Sequence, residues 1–512
     1  MHVATRRLGT LDGMRCIFAR YGFIFLGLAL VGSGAAGAEL HRGLGPAPDS
    51  IEPHRAQGLS AFNLLRDLHE GLLTRDARGR PVPGLAASWT VSPDRRTWTF
   101  TLRPEARWSD GTPLVAGDFL RGWQAVLNPA SASPTAAWLE AVAEVEAPAP
   151  DRFVVRLRRP VPWFEELLTL PPTLPLPAPG PARYSGAFRL LRSVPGSRFE
   201  LERNPHHHDA AAVVLDRVVW HVTEDAGAEM ARFRAGELHT TEAVPPGRLD
   251  WLQRELGEAL RISPYLGSFY LVYNLDRAPL GRRPELRRAL SLAIDRDILV
   301  KRVLGSGELP AERLVPPGLD GWPEPLRDPR PFAARVAEAQ ALLSAAGYGP
   351  RRPLEVELRF NSSLTHRRMG AAVAAMWKQH LGVVTRQVTE EWKVFVTNRR
   401  QGRLTEIVRG GWIADWADPG NFLGLFHSQS PLNYAFLRDP AFDALLERAA
   451  DRDAEARLQL LIEAEQHLLD RHVIIPLYFY VSRHLVNPRV HGWEDNIMDI
   501  HLSRWLRLEP GR

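Results

Sequence analysis

Thr97-Trp-Thr-Phe-Thr-Leu-Arg103, Arg107-Trp-Ser-Asp-Gly-Thr-Pro113 and Ala116-Gly-Asp-Phe-Leu-Arg-Gly-Trp-Gln-Ala-Val126 follow one another closely in the chain. The first sets threonines against Trp98, Phe100 and Leu102, the period-2 pattern of a strand with one face buried. The second carries Asp110-Gly111 and Pro113, the residues of a tight turn. The third reads as an amphipathic helix entered near Thr112. Upstream, Ser60–Glu70 is helical, with Phe62, Leu65, Leu68 and Leu72 on one side, and Asp76-Ala-Arg-Gly79 turns the chain toward Pro81-Val-Pro-Gly84.

Downstream, strand and helix patterns alternate. Tyr184–Arg192 and Arg198–Arg203 read as paired strands, Val213–Val222 as another, and Ala226–Gly236 as a helix. The run Pro171–Pro181 reads as an extended connector, poor in hydrogen-bond donors. Phe269–Asn274 is a strand. Pro284–Ile298 is a helix with Pro284 in its first turn and Leu286, Ala289, Leu290, Ala293 and Ile294 on one face. Pro331–Gly347 and Leu364–Leu381 are helices around the strand Leu354–Phe360. Strands at Gly382–Val388 and Leu404–Val408, helices at Ala441–Ala449 and Ala454–Leu469, and a last strand at Val473–Val481 complete an α/β pattern.

The 512 residues allow two to four domains with large cores. Hydrophobic content of 45% and charged content of 24% are those of a globular protein. Of the net charge of +5, three units belong to the first 38 residues, where Arg6, Arg7, Arg15 and Arg20 face only Asp12. With no Lys/Arg block elsewhere, nucleic acid is excluded as a partner. That N-terminal stretch reads as a signal peptide over residues 1–38. A basic region precedes the apolar run Tyr21–Val31, and Ala36-Gly37-Ala38 offers a cleavage site before Glu39; translation starts at Met1 or Met14. The apolar run is too short to span a bilayer. The single cysteine, Cys16, lies ahead of it, so the mature chain is expected to hold no disulfide, thiol nucleophile or zinc–thiolate site. The Gly-rich Gly32-Ser-Gly-Ala-Ala-Gly37 falls in the same segment and is no nucleotide site. The expectation is an exported, periplasmic protein.

Two further stretches carry chemistry. In Arg409-Gly-Gly-Trp-Ile-Ala-Asp-Trp-Ala-Asp-Pro-Gly-Asn-Phe422 a carboxylate, Asp415, lies between Trp412 and Trp416. Gly410 and Gly411 relax the backbone after the strand ending at Val408, and Pro419-Gly420 ends the segment. A carboxylate among indoles suits a ligand cation in a partly dry cleft, and equally a core tryptophan cluster with a solvated acid. Asn204-Pro-His-His-His-Asp209 invites a metal reading. Neighbours on an extended segment point to opposite faces, however, so it reads as a surface loop and no metal is expected.

The run Arg66-Asp-Leu-His-Glu-Gly-Leu-Leu-Thr74, with Pro83-Gly-Leu-Ala-Ala-Ser-Trp89, Trp98–Arg103 and Arg107–Pro113, closely resembles the family-5 extracellular solute-binding proteins, the oligopeptide- and dipeptide-binding receptors of ABC importers. The resemblance extends over the mature chain, block by block and in order. It implies an α/β, two-lobed periplasmic-binding-protein fold with an extra subdomain in the first lobe and a ligand cleft between the lobes. The first lobe would be 39–70, 184–268 and 482–512, the extra subdomain 71–183, and the second lobe 269–481. Gly236–Glu242 is similar to the family's strand near the interlobe crossing, and the last strand would return the chain to the first lobe.

The resemblance further implies an oligopeptide ligand, importer permease subunits as partners, a monomer and no cofactor. Asp415 would take the peptide's ammonium group, and Arg409, Arg399 and His366 its carboxylate at different lengths, with Arg400 able to exchange roles with Arg399. Trp412 and Trp392 would form pocket walls. Gln57, Leu59 and Thr135 fall on cleft positions, but Gln57 stands where well-known members carry glutamate, and Thr135 where they carry tyrosine. Other members bind murein peptides, nickel chelates, haem or oligosaccharides, so the fold alone does not name the ligand. The contrary reading, an exported hydrolase, would need a carboxylate pair such as Asp415 with Asp418, or Glu165 with Glu166, about 5 to 9 Å apart. The sequence holds no His-Glu-x-x-His, Gly-x-Ser-x-Gly or Walker loop to support an enzyme.

Overall fold

The structure is a computed structural model that describes residues 38–510 apart from 326 and 404. The expected signal peptide, its cleavage site up to Gly37 and Cys16 lie outside the described residues, as does Leu404. In chain order the strands are β1 (Glu39–Gly45), β2 (Leu73–Arg75), β3 (Pro81–Pro83), β4 (Ala86–Val91), β5 (Thr97–Leu102), β6 (Val142–Ala149) and β7 (Arg152–Leu157). After them come β8 (Phe188–Val194), β9 (Arg198–Arg203), β10 (Arg217–Val222), β11 (Leu260–Tyr273), β12 (Leu309–Pro310), β13 (Glu355–Asn361), β14 (Val384–Glu390), β15 (Ile407–Ile413) and β16 (Ile474–Leu485).

The alternating stretch Thr97–Leu102 is β5, and its Trp98, Phe100 and Leu102 are buried while the threonines between them are half-buried. It lies inside a four-stranded sheet in the order β4-β5-β7-β6. Phe100 and Leu102 pack with Phe119 and Trp123 of the helix Ala116–Leu127. That helix starts at Ala116, capped by Val115, rather than near Thr112. Thr112 is used in the preceding turn, where its amide and hydroxyl both donate to Asp110. Asp118 accepts from the Val115 amide at 3.0 Å and the Trp108 indole at 3.0 Å. The Pro171–Pro181 run is not a free connector at its start. Thr173 is fully buried, its carbonyl accepts from the Trp123 indole at 3.0 Å, and the Leu176 amide donates to Asp118 O. The prolines leave few donors: the Thr173 and Leu174 amides are taken by Leu170 O and Pro171 O in a local turn, and the Leu176 amide by the helix beside it.

A second four-stranded sheet, β1-β10-β9-β8, is closed by the chain's end. Arg42 Nη1 donates to His501 O at 2.7 Å and Ser503 Oγ at 2.8 Å, and Asp67 accepts from the Ser503 amide and hydroxyl. Gly236–Glu242 does not form a strand. Thr240 makes only isolated bridges, to Arg42 and to Val486.

The third sheet has six strands in the order β12-β16-β11-β15-β13-β14. Its faces are both covered, as alternation along β11 dictates. Phe269, Leu271 and Tyr273 enter one core with the helices Pro284–Leu292 and Leu364–Leu381. Tyr270 and Val272 enter the other, with the helices Pro440–Ala450 and Ala454–Asp470. Each fully buried side chain of this size contributes about 1.5–3 kcal/mol. The helix from Pro284 ends at Leu292 rather than running to Ile298. Asp295 accepts from the Ile298 amide at 3.0 Å and starts a new turn, which passes into a π-turn at Leu299–Leu304.

The most informative departure is β15. The sequence suggests that the strand stops at Val408 and relaxes at the glycines, yet it continues through Gly410-Gly411 to Ile413, paired with β11 from Tyr273↔Ile407 to Gly267↔Ile413. The glycines serve close approach. A Cβ on Gly410 would lie 2.5 Å from a Tyr270 ring carbon and 2.8 Å from a Val272 methyl. Strand β11 pairs with β16 on its other side, and that ladder is interrupted between Pro264 and Ser268. Such irregularities re-aim side chains, and Tyr265, half-buried, lies within this one.

Candidate functional site: the Asp415 loop and the basic wall

Strand β15 delivers Asp415. Beyond Ile413, the Ala414 amide still donates to Leu266 O at 2.9 Å, so Asp415 emerges where the β11–β15 ladder ends, opposite Tyr265. The Asp415 carboxylate is half-buried, and among the described residues it has neither a hydrogen-bond donor nor an ion pair. Burial alone pushes its pKa from 3.8 up to about 6. An acid in that condition is an unmet demand for a cation.

The residues around it are held tightly. Trp412 donates its indole N–H to Asn421 Oδ1 at 2.6 Å and packs against a core. Trp416 stacks on Trp163 with ring centroids 5.9 Å apart and planes 7° from parallel, and both line a cavity of about 90 Å³ with Trp138. Glu166 accepts from the Ala417 amide at 3.4 Å and from Arg75 at 2.8 Å. Asp418 pairs with Arg457 at 2.8 Å and accepts from the Gly420 amide. Asp418 is therefore committed, and Glu166 is an ion-paired group. In each carboxylate pair suggested for a hydrolase, one member is ion-paired with an arginine.

Gln57 is exposed, with its backbone amide on Asp49, and Leu59 opens the helix Leu59–Leu68 with 45% of its surface exposed. Thr135 is buried, and its hydroxyl lies 3.3 Å from Ser133 Oγ. From that turn it is Trp138 that reaches outward, meeting Phe62 of the same helix edge-on at 6.0 Å. The helix thus turns Leu59, Phe62, Asn63 and Arg66 along one partly exposed face, while Leu65 and Leu68 are buried.

The remaining positions form a basic, aromatic wall. Arg409 lies opposite Leu271 in the ladder, with its guanidinium 5.3 Å from the Phe269 ring centre and 5.9 Å from that of Trp392. Tyr480 hydrogen-bonds to it. Arg399 lies 4.1 Å over Tyr434 and 5.4 Å from Phe395, and burial lowers its pKa. Arg400, one residue on, is exposed. The choice follows helix phase: Phe395 is fully buried, and Arg399 is one turn later on the same face. His366 lies 5.4 Å from the Phe269 ring with the planes tilted by 36°, and burial with Arg409 nearby holds its pKa down to about 4. Its Nδ1 and the Nε atoms of both arginines are buried without partners. Among the described residues no carboxylate pairs with Arg399, Arg409 or His366, so this wall favours an anion. Trp392 is 48% exposed and stacks on Phe395.

The histidine run departs from the expected surface loop. It is a turn, not an extended segment, and it brings His207 and His208 together onto the buried Glu70, at 3.2 Å and 2.5 Å. Arg504 completes the group at 2.5 Å. The set does not suit a metal. His207 Nδ1 accepts from the Asp209 amide, so its proton is on Nε2 and points at Glu70. The other cluster, His484 with Asp499 and His501, fails similarly. His484 Nδ1 donates to Thr241 O and Nε2 faces Asp499, so both nitrogens are protonated. Burial opposes that charge, but Asp499 prevails and raises the pKa to about 9.

The profile of the family described as "Bacterial extracellular solute-binding proteins, family 5 Middle" matches residues 80–434. The chain is 36% identical over 489 residues to the periplasmic oligopeptide-binding protein OppA of Salmonella typhimurium, with 89% of each chain covered. Among solved structures it superposes on the unliganded open form of the periplasmic murein tripeptide-binding protein MppA with a TM-score of 0.83, at 32% identity and covering 93% of this chain and 98% of that one. The Haemophilus influenzae OppA complex with the peptide RPPGFSPFR matches with a TM-score of 0.73, at 30% identity and covering 92% and 99%.

Proposed function

Because the chain belongs to the family-5 bacterial extracellular solute-binding proteins of ABC importers, whose fold is two-lobed, we propose that it is a periplasmic receptor for oligopeptides. The observation that carries this reading is the pair of opposite unmet charges: Asp415, with no cation, and Arg409 with Arg399, with no carboxylate. A peptide has the matching termini. Arg409 and Asp415 are six residues apart along the β15 direction, roughly 20 Å at the ~3.3 Å rise of a strand. Less the reach of the arginine, that separation suits extended peptides of about three to six residues. Asp415 would receive the α-ammonium, while Arg409, Arg399 and His366 receive the carboxylate, each at a different peptide length. Trp412, Trp392, Phe62 and Trp138 would wall the side-chain pockets. Gln57 and Leu59 would border the ammonium end, with Thr135 behind it as support.

The lobes in this reading are 39–70, 184–268 and 482–512 with the extra subdomain 71–183, and 269–481. They are joined by β11 and β16, which would bend on closure. The higher TM-score against a form described as unliganded and open supports reading the described arrangement as the open one. Closure onto a peptide would then present it to the importer's permease subunits, with no cofactor and with the receptor as a monomer. Residues 1–38 would direct export and be removed.

The test is calorimetry on residues 39–512, stripped of ligand, against di- to hexapeptides, free and N-acetylated, beside Asp415→Ala. Micromolar or tighter binding that is lost on acetylation and in the variant is the expected result. Tight binding indifferent to both would remove Asp415 as the ammonium anchor. No binding of any peptide would move this chain to another ligand class on the same scaffold.

A further inference from the structure

A second half-buried carboxylate, Glu242, lies in the neighbourhood of Tyr265, the residue opposite Asp415. Glu242 follows Thr240, which bridges β1 and β16, and lies between the end of β1 and the helix Leu59–Leu68. Both of its oxygens are 3.4 Å from the Asn63 side-chain nitrogen, a weak contact. Arg66 donates to Asn63 Oδ1 at 3.1 Å, which turns the amide's N–H groups toward Glu242. Glu242 is half-buried and has no ion pair among the described residues.

The groups around it are spoken for. His484, on β16, is held by Asp499 and Thr241 O. Arg42, on β1, is held by His501 and Ser503. Glu229, on the helix Ala226–Arg234, accepts the backbone amides of Glu242 and Ala243. Arg66 and Tyr265 remain nearby, and Arg66 itself has its pKa lowered to about 9, chiefly by burial. Burial, assisted by Asp499 and Glu229 and only partly offset by His484, pushes the Glu242 pKa up to about 8. Tyr265 ties this acid to the other one. It sits at the interruption of the β11–β16 ladder, next to Leu266, whose carbonyl holds Ala414. Burial raises its phenol pKa, and the charges of Asp499, Glu242 and Asp415 add to that rise. Asp415 and Glu242 are thus both within electrostatic reach of one side chain.

We propose that Glu242 is a ligand-binding carboxylate for a second positive charge, so that this receptor selects peptides whose first residue is cationic, with the α-ammonium on Asp415 and the side-chain cation on Glu242. The inference rests on the peptide-receptor reading and refines it. Neither half-buried acid forms an ion pair among the described residues, and a peptide with a cationic first side chain brings a positive charge to each, whereas one with an uncharged first side chain brings one. A cation held between carboxylates of both walls also favours the closed arrangement, because the two contacts are made together only there. The departure at Gln57, which removes an acid expected near the ligand, is then offset from a different strand crossing.

The experiment uses Lys-Ala-Ala and norleucine-Ala-Ala, which differ at the first side chain chiefly by the charged end, with wild type and Glu242→Gln. Wild type is expected to prefer the lysine peptide at least tenfold, and the variant to lose that preference while binding the norleucine peptide about as well as wild type. Calorimetry at pH 7 in buffers of different ionisation heat adds a second readout. Loading Lys-Ala-Ala should release about one proton more in wild type than in the variant, because the protonated Glu242 must ionise. Equal affinity of wild type for both peptides, or a preference that survives Glu242→Gln, overturns the proposal while leaving the receptor reading intact. If neither peptide binds wild type, the peptide reading itself fails and this one with it.

Discussion

Glu70 and Asp415 are both acids withdrawn from water, and they are shifted in opposite directions. Burial alone would raise Glu70, yet the hydrogen bonds from His207 and His208 and the charge of Arg504 hold it well below the ordinary carboxylate range. Asp415 has burial and nothing against it, and it rises to about 6. The contrast separates an acid that finishes the fold from one that waits for something outside it. A satisfied carboxylate stabilises the native state, and an unsatisfied one costs stability until a ligand arrives.

The strongest way to break the contrast is to strip Glu70 of its cation. Arg504→Ala leaves the carboxylate buried among two histidines and should destabilise the protein by about 3–5 kcal/mol in chemical denaturation at pH 7. The sign with pH follows from linkage. Glu70 titrates lower folded than unfolded, so its contribution is complete above the unfolded value near 4.5 and is lost as pH falls below it. Wild type and Arg504→Ala should therefore converge in acid. A loss under about 1 kcal/mol at pH 7 would mean that the histidines alone satisfy Glu70.

Much of this was legible in the sequence, and the exceptions have physical causes. Alternation marks β5, and the flanking tryptophans mark Asp415 as a candidate, because both are local patterns. Strand β15 was cut short because Gly410 and Gly411 read as breakers. Their reason for being there is the Tyr270 ring, on a strand far away in sequence. The helix from Pro284 kept its apolar periodicity past the point where Asp295, by capping a new turn, ends it. The histidine run looked exposed because its partners, Glu70 and Arg504, come from near the two ends of the chain. Glu242 and Tyr265 gave no signal at all. A lone glutamate in a loop acquires meaning only when folding brings another wall toward it.

A smaller effect of opposite sign sharpens the comparison. The folded protein holds a proton on Asp415 between its unfolded value of 3.8 and about 6, so ionising the group above that range costs stability. Asp415→Asn removes the cost. Discounted for partial exposure, the ligand-free variant should be more stable than wild type by roughly 1–2 kcal/mol at pH 7.5 and equal to it at pH 4. A variant less stable at pH 7.5 would show that Asp415 has a partner in the resting protein. The same variant at Glu70, Glu70→Gln, should destabilise at pH 7.5, so the two substitutions read the two kinds of acid directly.

The smallest expected effect concerns how the Asp415 loop is held. Trp163, from the chain segment beyond β7, stacks on Trp416, and Arg457 sits 5.6 Å from the Trp163 ring while pairing with Asp418. Glu166 steadies the intervening Ala417 amide. None of these groups touches the Asp415 carboxylate, so Trp163→Ala should act only by loosening the loop before a ligand binds. An aromatic pair of this kind is worth about 0.5–1.5 kcal/mol, which is a loss of roughly two- to tenfold in peptide affinity. The loss should fall on peptides with a free ammonium group and spare any residual binding of N-acetylated ones, since the latter do not use Asp415. Equal losses for both would mean that the stack supports the whole cleft rather than the loop. A hundredfold loss would mean that Trp163 meets the ligand itself.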